Sequence, residues 1–268
     1  QAIYGWAGAD VQRFQDEPAK NIILPQSYRV PQAVQQIADQ ILNRIPDNRR
    51  IKKQWASRPE GGSVDYVTSI EDLPLYEGDW LILARTNDKL IKLKSILQEM
   101  AIYFEIKGRK SYKTRLYTAV KHYTRWTNGD KLSLSECKDL FEYLELDQEL
   151  KEERMYDLQE FGYNTTDEWY EVFKSDPEEC LYIREMLRNK EELSHPARVK
   201  LSTIHAAKGG EATNVLIILD NTKKIREAVD KSEDKHDEEH RVWYVGVTRT
   251  KQNLYIMTPK REDRSYDI

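Results

Sequence analysis

Residues 199–219 read VKLSTIHAAKGGEATNVLIIL, and this stretch decides the fold. It begins with alternating polar and apolar residues, passes through small residues, and continues into a second apolar run. The alternation and the apolar run each predict a β-strand, and the small residues between them predict a turn. Thr203 and His205 then lie at the carboxyl end of the first strand. Open α/β sheets bind ligands at that edge, so we expect polar groups here to serve a site.

A second stretch, residues 238–256, reads EEHRVWYVGVTRTKQNLYI. It predicts a helix over residues 238–250 that carries Arg241 and Arg249, followed by a strand at residues 254–257. A helix between two apolar strands is typical of a parallel sheet, because the chain has to return to the starting edge before the next strand.

The rest of the chain repeats this alternation at both ends. We predict further strands at residues 21–24, 64–68, 80–84, 103–106, 199–203 and 214–219, and helices at residues 31–45 and 88–100. The continuous apolar run at residues 80–84 indicates a strand that is buried on both faces. The fold class is therefore α/β, a parallel sheet with helices on both sides. Three segments are predicted to be irregular: a surface connection at 47–59, a charged loop at 221–235 and an unfixed tail at 260–268.

The middle of the chain differs from both ends. Apolar residues recur there at helical spacing, and Ser133 followed by Glu136 predicts a capping box at a helix start. Another helix is expected at residues 177–193. We therefore divide the chain into a first part of the sheet domain (1–111), a small helical insertion (112–195) and the remainder of the sheet domain (196–268).

Composition excludes several classes of protein. The 268 residues are 39 % hydrophobic and 33 % charged, which is typical of a globular domain, and no apolar run approaches the ~20 residues of a membrane helix. Neither a signal peptide nor a membrane partner is predicted. Cys137 and Cys180 lack the spacing of a zinc site, and two isolated cysteines do not indicate a disulfide framework. We expect a reducing, cytoplasmic location.

The net charge of −4 is unevenly distributed. Residues 112–195 hold 12 Lys and Arg against 20 Asp and Glu, a net charge of −8. The remainder holds 30 against 26, a net charge of +4. The acidity therefore belongs to the insertion, and the part that carries the motifs is mildly basic. This balance is compatible with nucleic-acid binding without requiring it.

Four motifs in this order resemble those of the UvrD/Rep-type superfamily I DNA helicases. The two stretches quoted above resemble motifs V and VI, QAIYGWAGAD (residues 1–10) resembles motif III, and LPQSYR (residues 24–29) resembles motif IV. LILARTN (residues 81–87) resembles a further stretch that the family carries between motifs IV and V. The resemblance implies the second RecA-like domain of such a helicase, with a small helical subdomain inserted into its sheet.

The resemblance also implies one wall of an ATP site. Arg29 and Arg249 would be arginine fingers, and Gln1 would sense the γ-phosphate. Glu211 would accept a hydrogen bond from the ribose, with Gly209 beside it, and Tyr28 would stack on the adenine. No GxxxxGK[ST] motif occurs, so the groups that hold Mg²⁺ and ATP in P-loop enzymes are expected in another domain. ATP and Mg²⁺ are thus cofactors of the intact protein, and neither is expected to bind tightly to this chain alone.

Single-stranded DNA is the second ligand that the resemblance implies. Its contacts would come from Tyr4, Trp6, Thr203, His205 and Lys208. Trp6 lies in a segment rich in Gly and Ala, where stacking on a base competes with a plain packing role. No metal site is predicted. His236 and His240 are four residues apart, but HDEEH lacks the glutamate that follows the first histidine in HExxH.

Two functional hypotheses of different classes remain open, together with a variant of the first. The first is the carboxyl-terminal half of an ATP-dependent 3′-to-5′ DNA helicase, a monomer that works with an N-terminal RecA-like domain of the same protein. The variant is the motor part of a helicase–nuclease. The second is a binding module, derived from a helicase, that grips nucleic acid or protein without hydrolysing ATP. In every case we expect this chain alone to be inactive, because it lacks a P-loop. Both arginines favour the motor, since a binding module has no use for them.

Overall fold

The computed structural model describes residues 3, 25–50, 55–146, 150, 153–163, 167–259 and 261–268. Their contacts divide the chain into two units. The first comprises Gln1–Ile96 and Arg198–Ile268, and the second comprises Leu97–Ala197. The second unit contains the helical insertion that was predicted at 112–195, together with the short strands before it.

In chain order, the strands are β1 (Gln26–Pro31), β2 (Ala56–Arg58), β3 (Ser63–Val67), β4 (Trp80–Ala84), β5 (Phe104–Ile106), β6 (Arg109–Lys110), β7 (Val199–Thr203), β8 (Ala212–Ile218) and β9 (Thr250–Met257). The helices are α1 (Gln32–Asn43), α2 (Asn87–Glu99), α3 (Thr114–Thr127), α4 (Leu134–Leu144), α5 (Trp169–Val172), α6 (Pro177–Arg188), α7 (Lys223–Lys231) and α8 (Glu233–Val247). Short 3₁₀ turns lie at Asp47–Arg49, Leu158–Phe161 and Glu262–Arg264.

The first unit is built on parallel strands in the order β3-β9-β8-β4-β7. Each of the five residues of β4 is buried, as its continuous apolar sequence predicts. Trp80 at the start of β4 pairs with the starts of β7 and β8, and Ala84 at its end pairs with Thr203 and Ile218. The carboxyl ends of these strands therefore share one edge, and the sheet confirms the predicted α/β class.

Helix α8 packs closely on this sheet. Gly246 makes the approach possible, because a Cβ at this position would lie 2.7 Å from Cδ1 of Ile217 in β8. The apolar face of α1, with Val34, Ala38 and Ile41 buried, belongs to the same core. Helix α1 begins one residue later than predicted, because Pro31 is its N-cap residue and not its first helical residue.

The second unit has a separate core formed by its helices. Ser133 and Glu136 form the predicted capping box at the start of α4, where the Ser133 side chain accepts a hydrogen bond from the Glu136 amide. Cys137 and Cys180 are free and buried in this core. Burial raises the pKa of Cys137 to about 11, so the group is a neutral thiol at neutral pH. Strands β5 and β6 form an antiparallel hairpin in this unit.

The predicted charged loop at residues 221–235 is wrong, because this segment is helical. Thr222 caps α7 by accepting a hydrogen bond from the Ile225 amide, and Ser232 caps α8 by accepting one from the Lys235 amide. Helix α7 has no buried residue, and its apolar positions, Ile225, Ala228 and Val229, form only a short stripe among charged residues. Helix α8 accordingly starts five residues earlier than we expected.

The predicted unfixed tail is also wrong. Tyr266 is only 7 % exposed and stacks on Trp243 of α8, with ring centroids 4.8 Å apart. Its amide donates a hydrogen bond to the carbonyl oxygen of Leu219 (2.9 Å). Two other predictions differ less. The strand expected at 21–24 lies outside the described residues, and the connection expected at 47–59 contains β2, which pairs with β1.

Candidate functional site

The first group of predicted site residues meets at the amino ends of β8 and β9. Ala212 pairs with Thr250 in the parallel register of these strands. Glu211 and Arg249 come directly before these residues, and the Ala212 amide donates to the Arg249 carbonyl oxygen (3.2 Å). The pairing of the strands therefore brings a carboxylate and a guanidinium together from positions far apart in the sequence.

Arg29, near the end of β1, joins this group through Glu211. Its Nη1 lies 3.1 Å from the carboxylate, and Nζ of Lys251 lies 3.5 Å from the other carboxylate oxygen. The hydrogen bond from Arg29 is the main cause that lowers the pKa of Glu211. Glu211 is therefore ionised at neutral pH. Nε of Arg29 is buried and has no hydrogen-bond partner in the part of the chain that the structure describes.

Arg249 is only 3 % exposed. Its Nε donates to the Val245 carbonyl oxygen (2.9 Å), and its Nη1 donates to the Gly210 carbonyl oxygen (3.3 Å). Burial and then the positive charge of Arg29 lower the pKa of Arg249. The two guanidinium groups therefore lie close enough to repel each other, and an anionic ligand would relieve this repulsion.

The residues of this group have the chemistry to hold ATP. The Arg29 side chain is 31 % exposed, Tyr28 is 86 % exposed, and the Glu211 side chain is 42 % exposed. Gly209 has a φ of +94°, a left-handed conformation that favours glycine, and it forms the turn just before Glu211. The described residues do not form a comparable site for Mg²⁺. Within the described residues, no three His, Cys, Asp or Glu side chains are placed to hold a metal ion.

The second group lies at the carboxyl ends of β4 and β7, the opposite edge of the sheet. Thr203 ends β7, and its hydroxyl oxygen accepts a hydrogen bond from the Ala206 amide (3.2 Å). His205 lies in the same turn and is half-buried, whereas Lys208 is exposed. Residues 204–211 therefore connect the two edges of the sheet, with Thr203 and His205 at one edge and Glu211 at the other.

Burial is the main cause that lowers the pKa of His205, and the Arg85 charge lowers it further. Glu239, Glu238 and a backbone hydrogen bond with Ile3 act in the opposite direction. The imidazole is therefore mainly neutral at pH 7. Ile3 is fully buried in the core of the first unit. The predicted site residues Gln1, Tyr4 and Trp6, which flank it in sequence, lie outside the described residues.

Sequence reasoning missed an ion pair at this second edge. Arg85 follows β4 directly, and its Nε and Nη2 donate to the Glu239 carboxylate over 2.8–3.1 Å. Nε1 of Trp243 donates to the same carboxylate (2.7 Å). A charged residue directly after a fully buried strand was a signal for such a pair, because its charge needs a partner near the core.

His236 and His240 form a hydrogen-bonded pair on α8, with their Nε2 atoms 3.1 Å apart. Nδ1 of His240 lies 2.6 Å from the hydroxyl of Tyr266. Burial and then the neighbouring His236 lower the pKa of His240 to about 4. The pair therefore helps to join the end of the chain to α8.

The mostly parallel sheet flanked by helices places the chain in the α/β class. Residues 81–261 match the UvrD-like helicase C-terminal domain family, and the chain belongs to this family. The chain is thus a motor part of a UvrD-like helicase. No curated protein matches the chain.

Among solved structures, the chain resembles the C-terminal domain of a possible DNA helicase from Lactobacillus plantarum WCFS1, at 15 % identity over 87 % of each chain. The TM-score of 0.26 is too low for any argument from this likeness. In the described part of the chain, every helix is too short or too polar to cross a membrane.

Proposed function

We propose that the chain is the carboxyl-terminal motor domain of an ATP-dependent helicase that moves 3′ to 5′ on single-stranded DNA. The observation that carries this proposal is the grouping of Arg29, Arg249 and Glu211 at one edge of the sheet. Arg29 and Lys251 pair with the single carboxylate of Glu211, and the charge of Arg29 acts on Arg249, so the group has an excess of positive charge that an anionic ligand would balance. A nucleotide has both groups that such a site would bind. Its polyphosphate would pair with the guanidinium groups, and a ribose hydroxyl would donate a hydrogen bond to the Glu211 carboxylate.

In this proposal Arg29 and Arg249 act as arginine fingers on the γ-phosphate of ATP. When it is bound, ATP supplies a phosphoryl group whose charge spreads over its oxygens during transfer. Forked guanidinium donors stabilise that charge. Glu211 accepts a hydrogen bond from the ribose and Tyr28 stacks on the adenine, with Gly209 shaping the turn. Gln1 senses the γ-phosphate, while Mg²⁺ is held by the N-terminal RecA-like domain of the same protein.

The single strand would cross the opposite edge of the sheet. In this proposal Thr203, His205 and Lys208 contact phosphates of the strand, and such contacts carry no base specificity. Tyr4 and Trp6 would stack on bases. Affinity should be weak and should fall as the salt concentration rises, because few phosphates are contacted. A binding module without hydrolysis, or the motor of a helicase–nuclease, are the alternatives.

The test is ATP hydrolysis and strand separation by the full-length protein. We expect single-stranded DNA to stimulate hydrolysis, and we expect unwinding of a duplex with a 3′ tail but not of one with a 5′ tail. The 268-residue chain alone should hydrolyse no ATP, with or without DNA. DNA binding by the full-length protein without any hydrolysis would favour the binding module. Steady turnover by the chain alone would contradict the proposed division of roles.

A further inference from the structure

The two edges of the sheet are connected by helix α8. Glu239, near its middle, pairs with Arg85 at the carboxyl edge of β4, while Arg249 follows its last turn at the amino edge of β9. Glu239 and the end of α8 at Val247 are eight residues apart. At a rise of 1.5 Å per residue this is about 12 Å along the helix axis.

The Arg85–Glu239 pair is largely buried, with side chains 17 % and 5 % exposed. A buried pair gains little over well-packed apolar residues, because removing two charges from water costs about as much as their attraction returns. The pair does fix the orientation of the Glu239 carboxylate. The guanidinium fork fixes one carboxylate plane, and Trp243 fixes it again from the next turn of the helix.

His205 faces the same charges. Arg85, Glu239 and Glu238 all act on its imidazole, and the backbone of Ile3 forms a hydrogen bond with it. The Ile204 amide donates a hydrogen bond to the Ala84 carbonyl oxygen (3.0 Å), so the turn that carries His205 lies beside Arg85 at the end of β4, and Arg85 pairs with Glu239 in the middle of α8. At the other end of α8, Gly246 packs the helix against β8 so closely that no Cβ would fit without a shift. The helix thus contacts the sheet closely at its middle and at its carboxyl end.

We propose that Arg85 and Glu239 are a positioning pair that couples DNA contact at His205 to the placement of Arg249. A phosphate bound at His205 would act on α8 through the Arg85–Glu239 fork. The helix would carry that effect to its last turn, where the arginine finger follows. This inference rests on the proposed function. It adds two residues that touch neither ATP nor DNA and yet set how strongly one ligand affects the other.

The experiment compares Glu239→Gln with Glu238→Gln in the full-length protein. Both variants remove one negative charge that faces His205, but only Glu239 pairs with Arg85, whereas Glu238 pairs with Lys235 (2.7 Å). For each protein we would measure ATP turnover without DNA and with saturating oligo(dT), and the dissociation constant for oligo(dT). The ratio of the two turnover rates measures the coupling.

We expect Glu239→Gln to lower this ratio about tenfold, within the usual range of coupling between sites. Turnover without DNA should stay within about twofold, and Glu238→Gln should keep the wild-type ratio, because Lys235 is 49 % exposed and lies on the same helix as Glu238, so their pair does not connect α8 to β4. Asp220→Asn is the control for a buried pair elsewhere, since Asp220 pairs with Lys89 beyond the end of β8. It should also keep the ratio.

Each other outcome has a distinct meaning. If Glu239→Gln keeps the wild-type ratio of stimulated to basal turnover, the inference is overturned. An equal loss of basal and stimulated turnover also overturns it, because this result would indicate structural support alone. A wild-type protein without DNA stimulation contradicts the proposed function instead. If Glu239→Gln does not fold, Arg85→Lys decides, because it keeps the charge but loses the fork. Its ratio should be several-fold lower, and an unchanged ratio overturns the inference.

A pH series adds a measurement that structural support alone would not change. The Glu239 charge favours the protonated form of His205 and the Arg85 charge opposes it. If His205 contacts phosphate, affinity for oligo(dT) rises as pH falls and the ring becomes charged. Both glutamine variants should move this rise to lower pH, and only Glu239→Gln should also lose stimulation. Equal loss of stimulation in both variants would assign the effect to charge and overturn the positioning role.

Discussion

The two edges of the sheet in the first unit differ in how far their charged side chains are exposed to solvent. At the amino edge, Arg29 and Glu211 are about a third to two-fifths exposed, and Nε of Arg29 has no partner among the described residues. At the carboxyl edge, the Arg85–Glu239 pair is closed, and Trp243 occupies a further acceptor position on the carboxylate. One edge therefore leaves its charged side chains partly exposed to a ligand, whereas the other encloses them within the fold.

This difference separates two roles that charged residues share in sequence. A solvent-accessible guanidinium can bind phosphate, whereas an enclosed guanidinium that donates to a buried carboxylate mainly orients that partner. Arg249 lies between these cases. It is buried and donates to backbone carbonyl oxygens, yet the charge of Arg29 acts on it directly. The following predictions test the two roles, from the largest expected effect to the smallest.

The largest effect is expected from Arg249→Lys in the full-length protein. A lysine keeps the charge but loses the planar fork, so hydrolysis should suffer most in the transition state. Loss of an arginine finger typically lowers the rate by roughly 10³ to 10⁵. We expect the lower end, because Arg29 stays in place. DNA-stimulated ATP turnover is the measurement.

The control for Arg249→Lys is a titration with single-stranded DNA in the absence of nucleotide, which should be nearly unchanged. Near-normal turnover would remove Arg249 from the active site. Lost DNA binding with normal basal hydrolysis would place it on the DNA path instead, and the contrast between the two edges would disappear.

The amino-edge group could be predicted from sequence because its parts lie in local motifs. Glu211 and Arg249 each precede a strand, and the parallel pairing of two predicted strands is enough to bring them together. The Arg85–Glu239 pair could not be found in this way. Its members are 154 residues apart, and although a charge directly after the buried strand β4 indicates a buried partner, no local pattern identifies Glu239 as that partner. Glu239 becomes the partner of Arg85 only because α8 packs on the sheet.

The second prediction compares Glu239→Ala with Glu211→Ala in the free energy of unfolding. Removing Glu239 leaves Arg85 without its counter-charge in a closed site, which typically costs about 3–5 kcal/mol. Removing Glu211 breaks a partly solvated pair, and such pairs contribute about 0–1 kcal/mol. Urea denaturation of both variants at pH 7 measures the difference. Equal losses would show that the two edges do not differ in the way their charges are held.

The third prediction concerns Trp6, which lies outside the described residues but only three positions after Ile3. Ile3 is buried, and its backbone forms a hydrogen bond with His205. If the Trp6 ring stacks on a base, Trp6→Ala should weaken single-stranded DNA binding by about 1–3 kcal/mol. Fluorescence anisotropy at low salt measures the affinity. An unchanged dissociation constant would make Trp6 a packing residue.

The end of the chain shows what sequence patterns leave out. Tyr266 is one aromatic residue in a polar segment, and no periodicity marks it as buried. It is held by Trp243, which stacks on it, by His240, and by the Leu219 carbonyl oxygen. These partners come from α8 and the end of β8. A tail without its own pattern can therefore be fixed entirely by the surface on which it lies.

The smallest effect is a pH dependence of stability that belongs to this tail contact. The pKa of His240 is about 4 in the folded chain, below its ordinary value of 6.5. Between these pH values the unfolded chain binds a proton that the folded chain does not. The free energy of unfolding should therefore decrease as pH falls through this window, by at most about 1.4 kcal/mol per pH unit for this one group.

The measurement is urea denaturation at pH 7, 6 and 5 for the wild type and for His240→Gln, which does not titrate in this range. We expect the wild type to lose more stability between pH 6 and 5 than the variant, because only the wild type has this buried ring to protonate on unfolding. Tyr266→Phe is the matched control, since it removes the hydroxyl at 2.6 Å but leaves the stacked ring in place. It should cost about 1 kcal/mol at pH 7. Parallel stability curves for the wild type and His240→Gln would show that burial of His240 does not couple the tail to pH.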